Sequence, residues 1–310
     1  MIMTLTPNPL LELALDASEH FEGETRLDKI PMHVGGKSIN VARMLKTLGT
    51  PATSLTFLGG FAGNIIKAKL REDGIFADHI ETESETRIGV SIYENNPHKN
   101  RWWTENGSEL REKEVCNMLE LIGKYASKTS IMVISGTTPG IKNEDFCSRV
   151  LEKFSGQIPE IFLDIRGESL RKAMEIGGFF IKINREEALE SFNLDPFLKN
   201  ERKLLIENLK VHNVWGFLIT DGAKSAILWD GSALYELVPP KTDLKSAVGC
   251  GDATMAGFIY GRKKGMSITE SAILAMATGA ADSEVAGPCM ATEEQVKDKI
   301  SQIKIYSMSQ

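Results

Sequence analysis

The segment Val248-Gly249-Cys250-Gly251-Asp252 offers the chain's most specific arrangement for chemistry. Two glycines around one residue let successive backbone N–H groups turn to one side. The small-residue helical pattern of 253–263 adds the partial positive charge of a helix start. Such a cradle, built on the amides of Gly249, Cys250 and Gly251, suits the charge on a transferring phosphoryl group. Asp252 could take the proton of an attacking hydroxyl. Taken alone, the loop fits a second reading equally well, a tight turn with Asp252 as its N-cap.

Other glycine clusters fail as nucleotide fingerprints. Gly35-Gly36-Lys37-Ser38 resembles the end of GxxxxGK[ST], but Pro31 stands where the first glycine belongs. Leu58 displaces the first glycine of a dinucleotide motif at 59–63, and Thr254 displaces the third at 249–254. A Walker loop or Rossmann site is not expected. The five histidines are isolated and no HExxH occurs, so no zinc or haem site is expected either. The four cysteines form no CxxC pair and read as reduced thiols, as in a cytoplasm.

The elements that must position these residues show in the hydrophobic pattern. Apolar, β-branched runs at 1–6, 54–58, 131–135, 161–164, 179–183, 217–220 and 226–229 read as buried strands. Between several of them lie amphipathic stretches. Ile39, Ala42, Leu45 and Leu48 share one helical face, with Gly49 as a stop, and Ser267 with Glu270 predicts a capping box. The alternation predicts an α/β fold, a doubly wound, mostly parallel sheet in three α/β/α layers. Residues 10–34 and 86–105 break the rhythm. Strand-like pieces at 24–33, 87–93 and 100–104 predict a small antiparallel β-sheet lid on a single domain covering 1–310. Edge strands of the main sheet are the alternative.

Composition narrows the partners. The chain has 310 residues, 42% hydrophobic and 25% charged, as in a soluble globular protein. Its net charge of −6 disfavours a nucleic-acid binder. No run approaches the roughly 18 apolar residues of a membrane helix, and the N-terminus lacks the pattern of a signal peptide. No membrane or nucleic-acid partner is expected, and the location is expected to be cytoplasmic. An acidic chain that handles anions must concentrate its cations locally.

Two segments, Val34-Gly35-Gly36-Lys37-Ser38-Ile39-Asn40-Val41-Ala42 and Ala247-Val248-Gly249-Cys250-Gly251-Asp252-Ala253, together resemble the paired signatures of the PfkB (ribokinase-like) carbohydrate kinases. Weaker matches follow in family order: Thr6-Pro7-Asn8-Pro9, Gly59-Gly60, Thr86-Arg87, Ser135-Gly136, Lys182-Ile183-Asn184 and Asp221-Gly222. The opening Thr-x-Asn-Pro, the Gly-Gly-Lys and the Thr-Arg pair are most similar to the 1-phosphofructokinase and tagatose-6-phosphate kinase branch.

The resemblance implies ATP, Mg²⁺ and transfer of the γ-phosphoryl group to a hydroxyl of a ketose phosphate. It implies Asp252 as base, with Lys182, Thr220, Asp221 and Gly222 along the nucleotide phosphates. Asn184 and Glu187 would organise Mg²⁺ and its waters, although Asn-x-x-Glu also reads as a capping box. Glu12, Gly35, Gly36 and Asn40 would approach the sugar, and Lys37 and Arg87 the phosphate it carries, unless these two are ordinary solvated charges. A homodimer through the lid would cover Trp102 and Trp103, which otherwise read as packing residues.

Departures cluster on the sugar side. Glu12 replaces the family's aspartate, Ser38 a glycine and Gly89 an asparagine. Cys250 replaces an alanine, which predicts sensitivity to oxidation. A kinase of an unphosphorylated sugar or polyol, or a non-catalytic sugar or nucleotide sensor, remain the alternatives.

Overall fold

The computed structural model describes residues 1–17, 26–94, 100–140 and 145–309. Its strands are β1 (Ile2–Thr6), β2 (Leu10–Asp16), β3 (Met32–Gly35), β4 (Thr53–Leu58), β5 (Ala77–Glu81), β6 (Ile88–Tyr93) and β7 (Arg101–Thr104). They continue with β8 (Ile131–Ser135), β9 (Glu160–Asp164), β10 (Phe180–Asn184), β11 (Gly216–Thr220), β12 (Ala226–Trp229), β13 (Leu234–Val238) and β14 (Lys304–Met308). Ten of them form one sheet in the order β14-β13-β12-β11-β10-β9-β8-β1-β4-β5. Pairing is parallel from β5 to β11 and antiparallel from β11 to β14.

Helices cover both faces, as a parallel sheet requires. On one side lie α1 (Lys37–Thr47) and α2 (Gly60–Glu72); on the other lie α3 (Glu112–Ala126), α4 (Phe146–Phe154), α5 (Gly167–Met174), α6 (Arg185–Phe192) and α7 (Lys199–Val211). The first side is completed by α8 (Cys250–Lys263), α9 (Ile268–Ser283) and α10 (Glu293–Ile300). Strand residues alternate between the two cores. Ile131 and Val133 pack with α1 and α8, whereas Met132 and Ile134 pack with α3 and α4. That is the three-layer α/β/α arrangement expected from the alternating runs.

The remaining four strands form a separate sheet in the order β3-β2-β6-β7. It is mixed rather than antiparallel, because β2 runs parallel to β6. β2 was not read as a strand. Nor is 24–33 a strand: pairing begins at Met32, residues 26–31 are exposed without strand structure, and 24–25 lie outside the described residues. Strands β5, β13 and β14 were also missed. β5 and β14 are sheet edges with no fully buried residue, so neither carries a continuous apolar run.

Parallel strands point their C-terminal ends the same way, and ligands of open α/β sheets bind outside those ends. Asp164, Asn184 and Thr220 are the last residues of β9, β10 and β11, and Gly36 caps α1 just beyond β3.

Candidate active site

Asp252 lies in the first turn of α8, and the N-cap of that helix is Gly249 at φ 87°. The reading of Asp252 as an N-cap is therefore wrong. Its side chain is buried, and Oδ2 accepts a hydrogen bond from Asn40 Nδ2 at 2.8 Å. Gly249 is required twice over. Its φ is left-handed, and a Cβ there would lie 2.4 Å from Pro288 Cβ. Burial and the neighbouring charge of Asp164 push the Asp252 carboxyl up to about 7, against the opposing pull of Lys37, Asn40 and Lys182. A carboxylate at that value is suited to accept a proton near neutrality.

Asp164, which the sequence pattern does not single out, joins the candidate residues around Asp252. It is 1% exposed, and Lys37 Nζ donates to its Oδ1 at 2.8 Å while Lys182 Nζ stands 3.5 Å from Oδ2. Burial resists its ionisation, but the two ammonium groups outweigh that cost and hold its carboxyl below the usual value. Its position at the end of a buried run, Glu160-Ile161-Phe162-Leu163-Asp164, was the signal available. Lys182 is itself buried against the Gly249–Gly251 loop, since a Cβ on Gly251 would lie 2.9 Å from its Nζ.

Lys37 is held by acidic partners within the protein. Besides Asp164 it donates to Glu187 Oε1 at 3.0 Å. Burial would lower its pKa, yet Asp164, Glu187 and Asp252 together raise it above the ordinary lysine value. Asn184 and Glu187 form the capping box of α6: Asn184 Oδ1 accepts from Glu187 N at 2.8 Å, and Glu187 Oε2 accepts from Asn184 N at 3.0 Å. Among the described residues, no group of three or more His, Cys, Asp or Glu is arranged to hold a metal.

Thr220 ends β11, and Asp221 and Gly222 open the turn into β12, with Gly222 at φ 54° facing open space. Asp221 accepts from Arg185 Nη1 at 2.9 Å and from Lys224 at 3.2 Å. Arg185, next to Asn184, is a further cation on this rim that the sequence did not single out.

The sugar-side candidates are divided. Gly36 is needed for close approach: at φ 132°, a Cβ would lie 2.7 Å from Thr6 Cγ2, and Gly35 packs on Leu10. Glu12 is buried in the small sheet, where its Oε1 accepts from Ser91 Oγ. Arg87 is not a free cation. It donates to the carbonyls of Asn8 at 2.9 Å, Pro9 at 3.2 Å and Glu105 at 3.2 Å, binding the small sheet to the loop after β1. Both readings of Arg87, phosphate ligand and solvated charge, miss this role. A Cβ on Gly89 would lie 3.0 Å from Thr104 Cγ2 and Trp103 O and 3.2 Å from Leu10 Cδ1, so an asparagine there would require these neighbours to give by a few tenths of an ångström. Burial, Asp282 and Asp252 push the Cys250 thiol up to about 12, which disfavours the reactive thiolate.

Comparison with known proteins bears on the family of the whole chain. A family model described as pfkB family carbohydrate kinase matches residues 10–294. The chain is 30% identical over 308 residues to the 1-phosphofructokinase of Borreliella burgdorferi, covering 98% of each. It is 30% identical over 315 residues to that of Bacillus subtilis, covering 98% of this chain and 99% of the relative. The tetrameric inhibited form of phosphofructokinase-2 from Escherichia coli superposes with a TM-score of 0.85 at 24% identity, over 97% of this chain and 98% of that one. With the family model matched over residues 10–294 and relatives matched almost end to end, the chain belongs to the pfkB family and is an ATP-dependent carbohydrate kinase.

Proposed function

We propose that the acceptor is a ketose phosphate, with fructose 1-phosphate as the leading candidate, and that Asp252 is the general base. The observation that carries the base assignment is the Asp252 carboxylate, buried at the amide-rich start of α8 and poised at about 7. In the reaction the acceptor hydroxyl gives its proton to Asp252 while its oxygen bonds to the γ-phosphorus. The bond from that phosphorus to the β,γ-bridging oxygen breaks, and ADP leaves. The amides of Gly249, Cys250 and Gly251 would receive the charge on the phosphoryl oxygens, and Lys182 supports that loop from below. Lys182 and the Thr220-Asp221-Gly222 turn would flank the nucleotide phosphates.

Mg²⁺ fits the residues present. Glu187 and Asp164 already share a cation, the Lys37 ammonium, and their donors are all hard oxygens. Two carboxylates suit an ion carried mainly by phosphates and water, and Asn184 and Glu187 are committed to the α6 cap, so contact through water suits them. When bound, the ion would neutralise charge on the phosphate oxygens.

A second acceptor reading, an unphosphorylated sugar, is favoured by one observation: Arg87 and Lys37 are both turned to partners within the protein. ADP release should be measured with fructose 1-phosphate, fructose 6-phosphate, tagatose 6-phosphate and the neutral sugars. Preference for fructose 1-phosphate supports the proposal, and equal or better turnover of a neutral sugar overturns it. Arg87→Ala is a poor discriminator, because it would loosen the small sheet whichever acceptor binds.

A further inference from the structure

We infer that Arg43, on α1, is a positioning residue for phosphoryl transfer that acts on Asp252 through Asn40. This rests on the assignment of Asp252 as base. An asparagine amide can be turned either way about its last bond, and only one orientation offers Asp252 a donor. Arg43 selects it. Its Nη1 donates to Asn40 Oδ1 at 2.6 Å, which leaves Nδ2 to donate to Asp252 Oδ2 at 2.8 Å. Turned over, the amide would set its NH₂ against the guanidinium and its oxygen against the carboxylate, two repulsive contacts in place of two hydrogen bonds.

The guanidinium is held at its other end. Nη2 donates to Val34 O at 3.1 Å, one residue before the Gly35-Gly36 turn, and stands 3.4 Å from Asp73 Oδ2 beyond α2. Asn40 is 6% exposed and Asp252 7%, so water has little room to replace either bond. Arg43 and Asn40 lie one helical turn apart on α1, which places both side chains on one face. The other charged groups around Asp252 are Asp164 on β9, Lys37 on α1 and Lys182 on β10. None of them is bonded to the Asn40 amide among the described residues. Arg43 is therefore the group that orders this donor, and it also joins the small-sheet strand β3 to the cleft.

The test is a double-mutant cycle on the whole enzyme, with steady-state kinetics and thermal unfolding of each variant. Arg43→Met should lower kcat ~10-fold or more with KM for both substrates nearly unchanged, as expected for a misplaced catalytic group. Asn40→Ala with Arg43→Met should be no slower than Asn40→Ala alone, because the two residues act in series. Arg43→Lys keeps the charge but loses the fork, and should fall between wild type and Arg43→Met. If Arg43→Met does not fold, the same cycle is read with Arg43→Lys. Multiplying effects in the double variant, or a rise in KM with unchanged kcat, would overturn the inference and leave Arg43 as a staple of the small sheet. Asp252→Asn is run alongside. If it keeps full turnover the base assignment fails, whereas the cycle still reports whether Arg43 acts through Asn40.

Discussion

At the scale of single residues, the chemistry depends on burial setting two carboxylates apart. Asp164 is held ionised by Lys182 and Lys37, and its charge helps push Asp252 the other way. Only ionised Asp252 can accept a proton, so kcat/KM should rise with pH through about 7 and level off above it. A profile flat from pH 5.5 to 8.5 would contradict that assignment. Cys250 carries the opposite prediction from its sequence reading. With its thiol pushed up to about 12, brief treatment with iodoacetamide at pH 7.5 should leave it unlabelled and activity intact, as intact-protein mass spectrometry would show. The glycines, Asp252, Lys37, Asn40 and Lys182 stand out as candidates in the sequence because backbone freedom and charge type are written in residue identity, although the partners of Lys37 are not. Asp164 and Arg43 do not, because a lone acid at a strand end and a lone arginine on a helix gain meaning only from partners 127 and 3 residues away.

At the scale of elements, strand ends and helix starts do the positioning. β9, β10 and α8 bring Asp164, Lys182 and Asp252 together, and α1 adds Lys37 and Asn40. The α8 start depends on Gly249. Gly249→Ala would force a side chain into left-handed backbone and into Pro288, at a cost of about 1–3 kcal/mol. Denaturant unfolding should show that loss together with lower turnover, and unchanged stability and rate would mean the loop is more yielding than described. The central strands were legible because parallel strands buried on both faces are apolar runs. The edges β5 and β14 were not, since half-exposed strands carry no such run. The small sheet is mixed rather than antiparallel because its central strand β2, which the sequence pattern does not mark, pairs antiparallel with β3 and parallel with β6.

At the scale of the whole molecule, the net charge is −6, and the two lysines nearest Asp252, Lys37 and Lys182, are both paired with carboxylates. No helix among the described residues is long and apolar enough to cross a membrane. β7 lies at the edge of the small sheet with all four residues exposed, Trp102 at 44% and Trp103 at 54%. Unpaired strand edges recruit partners, so a homodimer through the small sheet is expected. Sedimentation should show a dimer at micromolar concentration that Trp102→Ser with Trp103→Ser dissociates. A wild-type monomer would contradict it. Single-turnover ATP-dependent phosphorylation of the best acceptor at pH 8 reads the role of Asp252 as base in the transfer step itself. Asp252→Asn should be slower than wild type by ~10²–10⁴, with ATP affinity little changed. A rate within about threefold of wild type would contradict the account.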